Sequence, residues 1–204
     1  MRGIRSSVVT RAAATLLAGA AALSLAACAN DPLADQYRAG DNKGFISGDG
    51  AVTEIPADQR GEPIEFAATT ENGDAVSSDD YAGDVLVVNF WYAACGPCRA
   101  EAADLEAVHG EFAGEDVAFL GVNTIDSAAA AAAFANTYGI TYPSAIASET
   151  PAIKLSFAEK TPIQATPTTL ILDAEGRVAA RIIGQLPDRS ILKTLVRETL
   201  EESP

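Results

Sequence analysis

Residues 90–98 decide the fold of this chain, and they read Phe90-Trp91-Tyr92-Ala93-Ala94-Cys95-Gly96-Pro97-Cys98. The preceding run, Val85 to Phe90, is apolar and does not alternate, which predicts a strand buried on both faces. The following residues predict an amphipathic helix, because their apolar positions recur at i, i+3 and i+7 (Leu105, Val108 and Phe112). The stretch therefore joins a buried strand to a helix, with a pair of cysteines at the junction.

The two cysteines are expected to lie on the first turn of that helix. Unpaired N–H groups and the positive end of the helix dipole stabilise a thiolate there, which lowers the pKa of the first cysteine. Because the thiolate is the species that attacks disulfides, we expect Cys95 to be the nucleophile. Cys98, further into the helix and less exposed, is expected to resolve the mixed disulfide. Pro97 fits this turn, which does not need its missing N–H.

Strand and helix patterns alternate along the rest of the chain. They predict strands at residues 63–66, 117–122, 140–146, 168–172 and 178–183, and helices at residues 127–138 and 188–201. Turn-forming residues occupy 71–74 and 173–176. This order predicts a single α/β domain, over residues 53–204, with a central mixed β-sheet flanked by helices.

The charge of the chain excludes one large class of partner. Its 204 residues include 14 Lys and Arg and 28 Asp and Glu, giving a net charge of −14. Nucleic acid is not an expected partner, because phosphate binding requires clustered cations.

The N-terminus has the pattern of an export signal. Three arginines and no acid precede an alanine-rich apolar run that ends in Leu25-Ala26-Ala27-Cys28. We expect residues 1–27 to be a signal peptide and residues 28–52 a flexible tether. Cleavage before Cys28 would leave 11 basic and 28 acidic residues, a net charge of −17. An ordinary secretory signal with an incidental cysteine is the alternative.

The sequence resembles the thioredoxin superfamily, and within it the exported thiol-disulfide oxidoreductases of the TlpA, ResA and DsbE type. The matching segments are Val88-Asn89-Phe90-Trp91, Cys95-Gly96-Pro97-Cys98, Gly121-Val122-Asn123 and Ala165-Thr166-Pro167-Thr168-Thr169. The resemblance implies a thioredoxin-like fold with an N-terminal β extension and an inserted helix and strand. Leu25-Ala26-Ala27-Cys28 also resembles the lipobox of bacterial lipoproteins, in which the signal is cut just before the cysteine. This resemblance implies that Cys28 is lipidated and anchors the protein outside the cytoplasm, on the cell membrane.

The resemblance also implies a set of site residues. The Thr166–Pro167 bond is expected to be cis and to face the cysteines, with the Thr166 backbone pairing with substrate as an added strand. Trp91, Gly96, Pro97, Thr166 and Pro167 are expected to contact substrate. No cofactor is implied beyond a redox-active Cys95–Cys98 disulfide. The implied partners are disulfide-containing exported proteins, among them apocytochrome c, and a membrane thiol electron donor.

Two positions depart from the family pattern. Ala94 stands where the family usually has Trp, which opens the surface around Cys95. Asn89 stands where cytoplasmic thioredoxins keep a buried acid. We expect Asp126 to act instead as proton acceptor for Cys98, and a helix N-cap is the alternative role for this side chain.

Other uses of the cysteine pair are less consistent with the sequence. A closed zinc site needs four ligands, which one Cys-x-x-Cys pair and the single histidine, His109, do not supply. Reduction of protein disulfides is the expected activity, since Gly-Pro between the cysteines is also the dipeptide of thioredoxin. Thiol oxidation or isomerisation during folding of exported proteins, and a copper- or haem-binding lipoprotein, are the alternatives.

Overall fold

Strand β4, the strand that precedes the cysteines, lies at the centre of a six-stranded sheet in this computed structural model. The structure describes residues 52–158 and 165–202. Its strands are β1 Val52–Glu54, β2 Ala67–Thr69, β3 Ala75–Ser77, β4 Val85–Trp91, β5 Val117–Asn123, β6 Ser144–Ile146, β7 Thr168–Leu172 and β8 Val178–Ile183. Its helices are α1 Gly96–Glu111, α2 Ala128–Tyr138, α3 Ala152–Ala158 and α4 Arg189–Glu201.

The strand order in the sheet is β1-β8-β7-β4-β5-β6. Strands β4, β5 and β6 are parallel, whereas β7, β8 and β1 pair antiparallel to their neighbours. A separate hairpin, β2–β3, packs beside this sheet. The predicted mixed sheet flanked by helices is therefore confirmed, with β1 as the N-terminal extension and α2–β6 as the inserted helix and strand.

The register of the sheet brings the candidate site residues to one edge. Trp91 pairs with Asn123, and Phe90 pairs with Thr168. Pro167 comes just before β7 begins, and the cysteines come just after β4 ends. Because β7 runs antiparallel to β4, these two points lie at the same end of the strands. The two segments that the resemblance singled out therefore meet at the same end of the sheet.

Every residue of β4 is buried, as the non-alternating pattern predicts. Val85 and Val87 face a core shared with α1 and α4. Leu86 and Val88 face a second core, shared with α3 and the β2–β3 hairpin. Burial of such side chains holds the helices against the sheet, and each fully buried side chain contributes about 1.5–3 kcal/mol to the free energy of unfolding.

The local structure differs from the predictions in several places, and one is the strand predicted at residues 140–146, of which only Ser144–Ile146 forms β6. Residues 63–66 are extended but are not a strand, because β2 begins only at Ala67, where the chain meets its partner β3. Helix α3 was not predicted at all. It has only seven residues, too few for a clear period, although Pro151 precedes it and Ile153 and Phe157 are buried four residues apart.

The helix ends also refine the predictions. Helix α1 continues through Gly110 to Glu111. Helix α2 is capped by Ser127, whose Oγ accepts from the Ala130 N–H, and it ends at Gly139 with a φ of 72°. Among the residues that the structure describes, no helix is long and apolar enough to span a bilayer. The predicted signal peptide, Cys28 and nearly all of the predicted tether lie outside those residues.

Candidate active site

Cys95 is the N-cap of α1, and its disulfide with Cys98 closes the first turn of the helix. The two Sγ atoms are 2.05 Å apart and the two Cα atoms 5.3 Å apart. Cys95 has extended backbone angles, φ −67° and ψ 114°, and the helix begins at Gly96. The local sequence favours this start, because Pro97 fixes a helical φ where no N–H is required.

The helix N-terminus points its N–H groups at the first cysteine. The Cys98 N–H donates to Cys95 Sγ over 3.1 Å. No acidic residue lies in the first turn of α1 to oppose a negative charge there. In the reduced protein, the same N–H and the positive end of the helix dipole would favour a thiolate at Cys95.

The two sulfur-bearing side chains differ less in exposure than expected. Cys95 is 3% exposed and Cys98 2% exposed, so both are nearly buried in the disulfide form. Between Tyr92 and Cys98, the exposed residues are small or apolar, namely Ala94, Gly96 and Pro97, and the exposed Arg99 follows Cys98. A substrate would therefore approach the disulfide past these small exposed residues. The Ala94 side chain covers less of the surface near Cys95 than a tryptophan would.

Trp91, which the resemblance implies is in contact with substrate, is buried in one apolar cluster with the two cysteines. Its indole is buried, donates to Ser144 Oγ over 3.3 Å and packs on Phe134 with ring centroids 4.2 Å apart. Gly121 makes this position possible, because a Cβ there would lie 2.8 Å from Trp91 Nε1 and would overlap Ser144 Oγ. The indole supports the cysteines from within the core.

The Thr166–Pro167 bond is cis, as the resemblance implies. Pro167 is buried and Thr166 half-buried. The Pro167 carbonyl accepts from the Gly184 N–H over 2.9 Å, and Thr168 Oγ1 donates to the Ala165 carbonyl over 2.6 Å. These contacts fix the loop at the sheet edge, next to the end of β4.

Asp126 holds the loop that carries the cysteines. Its Oδ2 accepts from the Ala93 N–H over 2.6 Å and from Asn123 Nδ2 over 2.9 Å. Ser127 rather than Asp126 caps α2, so the alternative role predicted for Asp126 is wrong. The observed contacts of Asp126 position the loop that carries Cys95.

Glu101 was missed by the sequence analysis. It lies three residues after Cys98 on α1, hence on the same helix face, and it is 1% exposed. Its Oε1 accepts from Asn89 Nδ2 over 3.0 Å and its Oε2 accepts from the Leu186 N–H over 2.7 Å. The signal was available in the sequence, since an acid occupies the apolar face of α1 between Cys98 and Leu105.

Burial raises the pKa of Glu101 from 4.5 to about 7, although the N–H donors of Leu186 and Asn89 favour the charged form. The other buried acid in the described residues, Asp173, is neutralised by Arg60 and Arg177. Glu101 has no such cation among its hydrogen-bond partners. It is therefore a carboxyl that gains and loses a proton near neutral pH.

Asn89 connects this carboxyl to the cysteine pair. It donates to Glu101 and also to Thr169 Oγ1 over 3.0 Å. Asn89 and Cys98 line the same small cavity of about 10 Å³ below the disulfide, together with Trp91 and Ser144. Asn89 thus holds Glu101 in place from the position where cytoplasmic thioredoxins keep an acid.

His109 and the remaining acids do not assemble a metal centre in the described part of the chain. No group of three or more His, Cys, Asp or Glu side chains there could hold an ion. His109 lies in the last turn of α1, with its ring 5.2 Å from that of Phe119 and 5.4 Å from that of Tyr142. These ring contacts indicate a structural role for His109.

A thioredoxin-like fold with a disulfide at the start of α1 and a cis-proline loop beside it defines a thiol-disulfide oxidoreductase. The comparisons with known proteins agree with this class. The chain belongs to the AhpC/TSA family, whose model matches residues 61–181.

The similar proteins include one described as thioredoxin-like and one described as a thiol-disulfide oxidoreductase. The thioredoxin-like protein YneN of Bacillus subtilis is 29% identical over 134 residues, covering 64% of this chain and 75% of that protein. The thiol-disulfide oxidoreductase ResA of B. subtilis is 26% identical over 126 residues, covering 62% of this chain and 68% of that protein.

Solved structures agree with the fold over most of their length. A DsbF homologue from Corynebacterium diphtheriae has a TM-score of 0.63 at 28% identity, covering 76% of this chain and 97% of that one. A secreted thiol-disulfide isomerase from Corynebacterium glutamicum has a TM-score of 0.64 at 25% identity, covering 78% of this chain and 97% of that one.

The raised pKa of Glu101 predicts a pH-dependent stability. Folded Glu101 keeps its proton to about pH 7, but the unfolded chain releases it near 4.5, so the folded state binds the extra proton between these values. Its contribution to the free energy of unfolding therefore falls as pH rises through this window, by up to about 3 kcal/mol.

Urea unfolding of the oxidised protein at pH 5 and pH 8 measures this effect. Glu101→Gln should remove most of the loss of stability between the two pH values. Glu106→Gln, at a partly exposed position of the same helix, should keep the wild-type difference. An unchanged pH dependence in Glu101→Gln would contradict the assignment of the raised pKa to this carboxyl.

Proposed function

We propose that this protein is an exported, lipid-anchored reductase of protein disulfides, with Cys95 as nucleophile and Cys98 as resolving thiol. The observation that carries the proposal is the Cys98 N–H donating to Cys95 Sγ at the helix N-terminus. That contact stabilises the thiolate of one cysteine of the pair and so distinguishes their roles.

The reaction is a two-step exchange. The Cys95 thiolate attacks one sulfur of the substrate disulfide, that S–S bond breaks, and the departing thiolate takes a proton from solvent. The Cys98 thiol then loses its proton and attacks Cys95 Sγ, which releases the second substrate thiol. The substrate gains two electrons, and the protein ends with the Cys95–Cys98 disulfide.

We assign the proton transfer from Cys98 to Glu101, in place of Asp126. Glu101 is buried one turn beyond Cys98 on α1, and its pKa of about 7 suits proton exchange near neutral pH. Asp126 keeps a positioning role, because its carboxylate holds the Ala93 N–H of the cysteine loop.

Substrate docking is assigned to the rim of the disulfide. Gly96 and Pro97 are exposed beside it, and the Thr166–Pro167 loop lies at the same sheet edge. An extended substrate segment can pair with the Thr166 backbone as an added strand.

The location of the protein is proposed from the sequence and from its relatives. The apolar run ending in Ala27-Cys28 supports export and lipidation at Cys28, and the similar structure from C. glutamicum is described as secreted. More than one acyl chain gives stable anchoring. Exported proteins with disulfides, such as apocytochrome c, and a membrane thiol donor are the proposed partners.

The description of that relative as an isomerase supports a second candidate, in which the pair oxidises or reshuffles thiols of folding proteins. The two candidates differ in reduction potential. Thioredoxin lies near −270 mV, protein disulfide isomerase near −180 mV and DsbA near −120 mV.

Trapping tests the exchange mechanism. In cells that express the full chain with Cys98→Ser, mixed disulfides should accumulate on Cys95, because the resolving thiol is gone. The double variant Cys95→Ser, Cys98→Ser should trap nothing and serves as the control. If Cys98→Ser traps no more than the double variant, the proposed exchange through Cys95 is wrong.

The reduction potential tests the direction. Trp91 is the single tryptophan of the chain and packs in one cluster with both cysteines, so its fluorescence reports the redox state. Titration against glutathione should give a potential below about −180 mV. The double variant should show no fluorescence change, and a potential above that value would favour the oxidase or isomerase.

A further inference from the structure

Two large apolar side chains are exposed in the part of the chain that the structure describes. Ile125 is 63% exposed and Leu155 is 74% exposed. A single exposed apolar residue is ordinary on a protein surface. These two are unusual because short contacts connect both of their segments to the loop that carries the cysteines.

Ile125 lies between two of these contacts. The residue after it, Asp126, holds the Ala93 N–H of the cysteine loop over 2.6 Å. The residue before it, Thr124, accepts at its carbonyl from Lys154 Nζ over 3.4 Å. Leu155 directly follows that lysine on α3, so the segments that carry the two exposed side chains contact each other, and the Ile125 segment contacts the cysteine loop.

The two cations of this surface donate to backbone carbonyls, whereas most other cations in the described residues pair with acids. Arg99 Nη1 donates to the Ala93 carbonyl over 3.2 Å, and Lys154 donates to the Thr124 carbonyl. Neither of them forms an ion pair within residues 52–158 and 165–202. Four other cations in those ranges are held by acids, namely Arg60, Arg177, Lys193 and Arg197.

We call this surface the docking strip, and it comprises Ala94, Pro97, Arg99, Ile125, Lys154 and Leu155. Asp126, which adjoins the strip through Ile125, already accepts from the Ala93 N–H and the Asn123 amide. The chain as a whole carries a net charge of −14, which repels acidic segments. The two cations that lack acid partners therefore mark the place where an acidic segment can approach.

We infer that the docking strip selects disulfides whose flanking residues are apolar and acidic. Ile125 and Leu155 would be covered by the apolar side chain, and Arg99 and Lys154 would pair with the acidic ones. The inference rests on the proposed function, and it names the class of polypeptide segment that the Cys95–Cys98 pair would reduce most rapidly.

The test compares two synthetic peptide disulfides that differ only beside the cystine, one with Leu and Glu and the other with Ser and Lys. Reduced protein is mixed with each peptide, and its oxidation is followed by Trp91 fluorescence. Each rate is divided by the rate at which dithiothreitol reduces the same peptide, which removes the intrinsic reactivity of the disulfide. The normalised rate should be about tenfold higher for the Leu-Glu peptide.

Substitutions in the strip should reduce this preference. Lys154→Glu and Leu155→Ser should each lower it by about threefold or more. Arg189→Glu makes the same change in charge on α4, at a site that acts on Glu111 instead of the strip, and should leave the preference intact. Reduction of bis(2-hydroxyethyl) disulfide, which is small and uncharged, should proceed at the wild-type rate in all three variants.

Equal normalised rates for the two peptides would overturn the inference. So would a loss of preference in Arg189→Glu as large as that in Lys154→Glu, because net charge alone would then explain it. If the wild-type protein failed to react with bis(2-hydroxyethyl) disulfide, the proposed exchange itself would be wrong. The small disulfide therefore separates failure of the docking strip from failure of the reaction.

Discussion

The hydrogen bond from the Cys98 N–H to Cys95 Sγ is the interaction on which the site depends. It exists because a fully buried strand, β4, ends just before the cysteines and α1 begins at Gly96. The sheet core fixes where the strand ends, and Pro97 fixes how the helix starts. The reactivity of one sulfur therefore follows from the packing of the whole domain.

A second constraint is the set of hydrogen bonds around Glu101, on the buried side of α1 that also carries Cys98. Glu101 is buried on the same helix face as Cys98 and is held by Asn89 and by the Leu186 N–H. Leu186 lies two residues after Gly184, whose N–H donates to the Pro167 carbonyl. The segment 184–186 therefore contacts both the buried carboxyl of Glu101 and the loop where substrate is expected to bind.

Local patterns were enough to predict most of the fold. The last two strands have the predicted bounds, and the Thr166–Pro167 bond is cis as the resemblance implies. Helix α3 was missed because seven residues are too short for a period. Glu101 was missed because acids are expected at the surface, and only the three-dimensional packing shows this one 1% exposed. The N-cap alternative for Asp126 was wrong because sequence spacing does not show which N–H a carboxylate accepts from.

The most direct test of the central claim is the pH dependence of alkylation in the reduced protein. The rate of iodoacetamide labelling is measured separately for the peptides that contain Cys95 and Cys98, in the wild type and in single-serine variants. The thiolate at the helix N-terminus predicts that Cys95 reacts first, with a midpoint below the ordinary thiol pKa of about 8.5. A midpoint at or above that value, or faster labelling of Cys98, would contradict the assignment of Cys95 as the nucleophile.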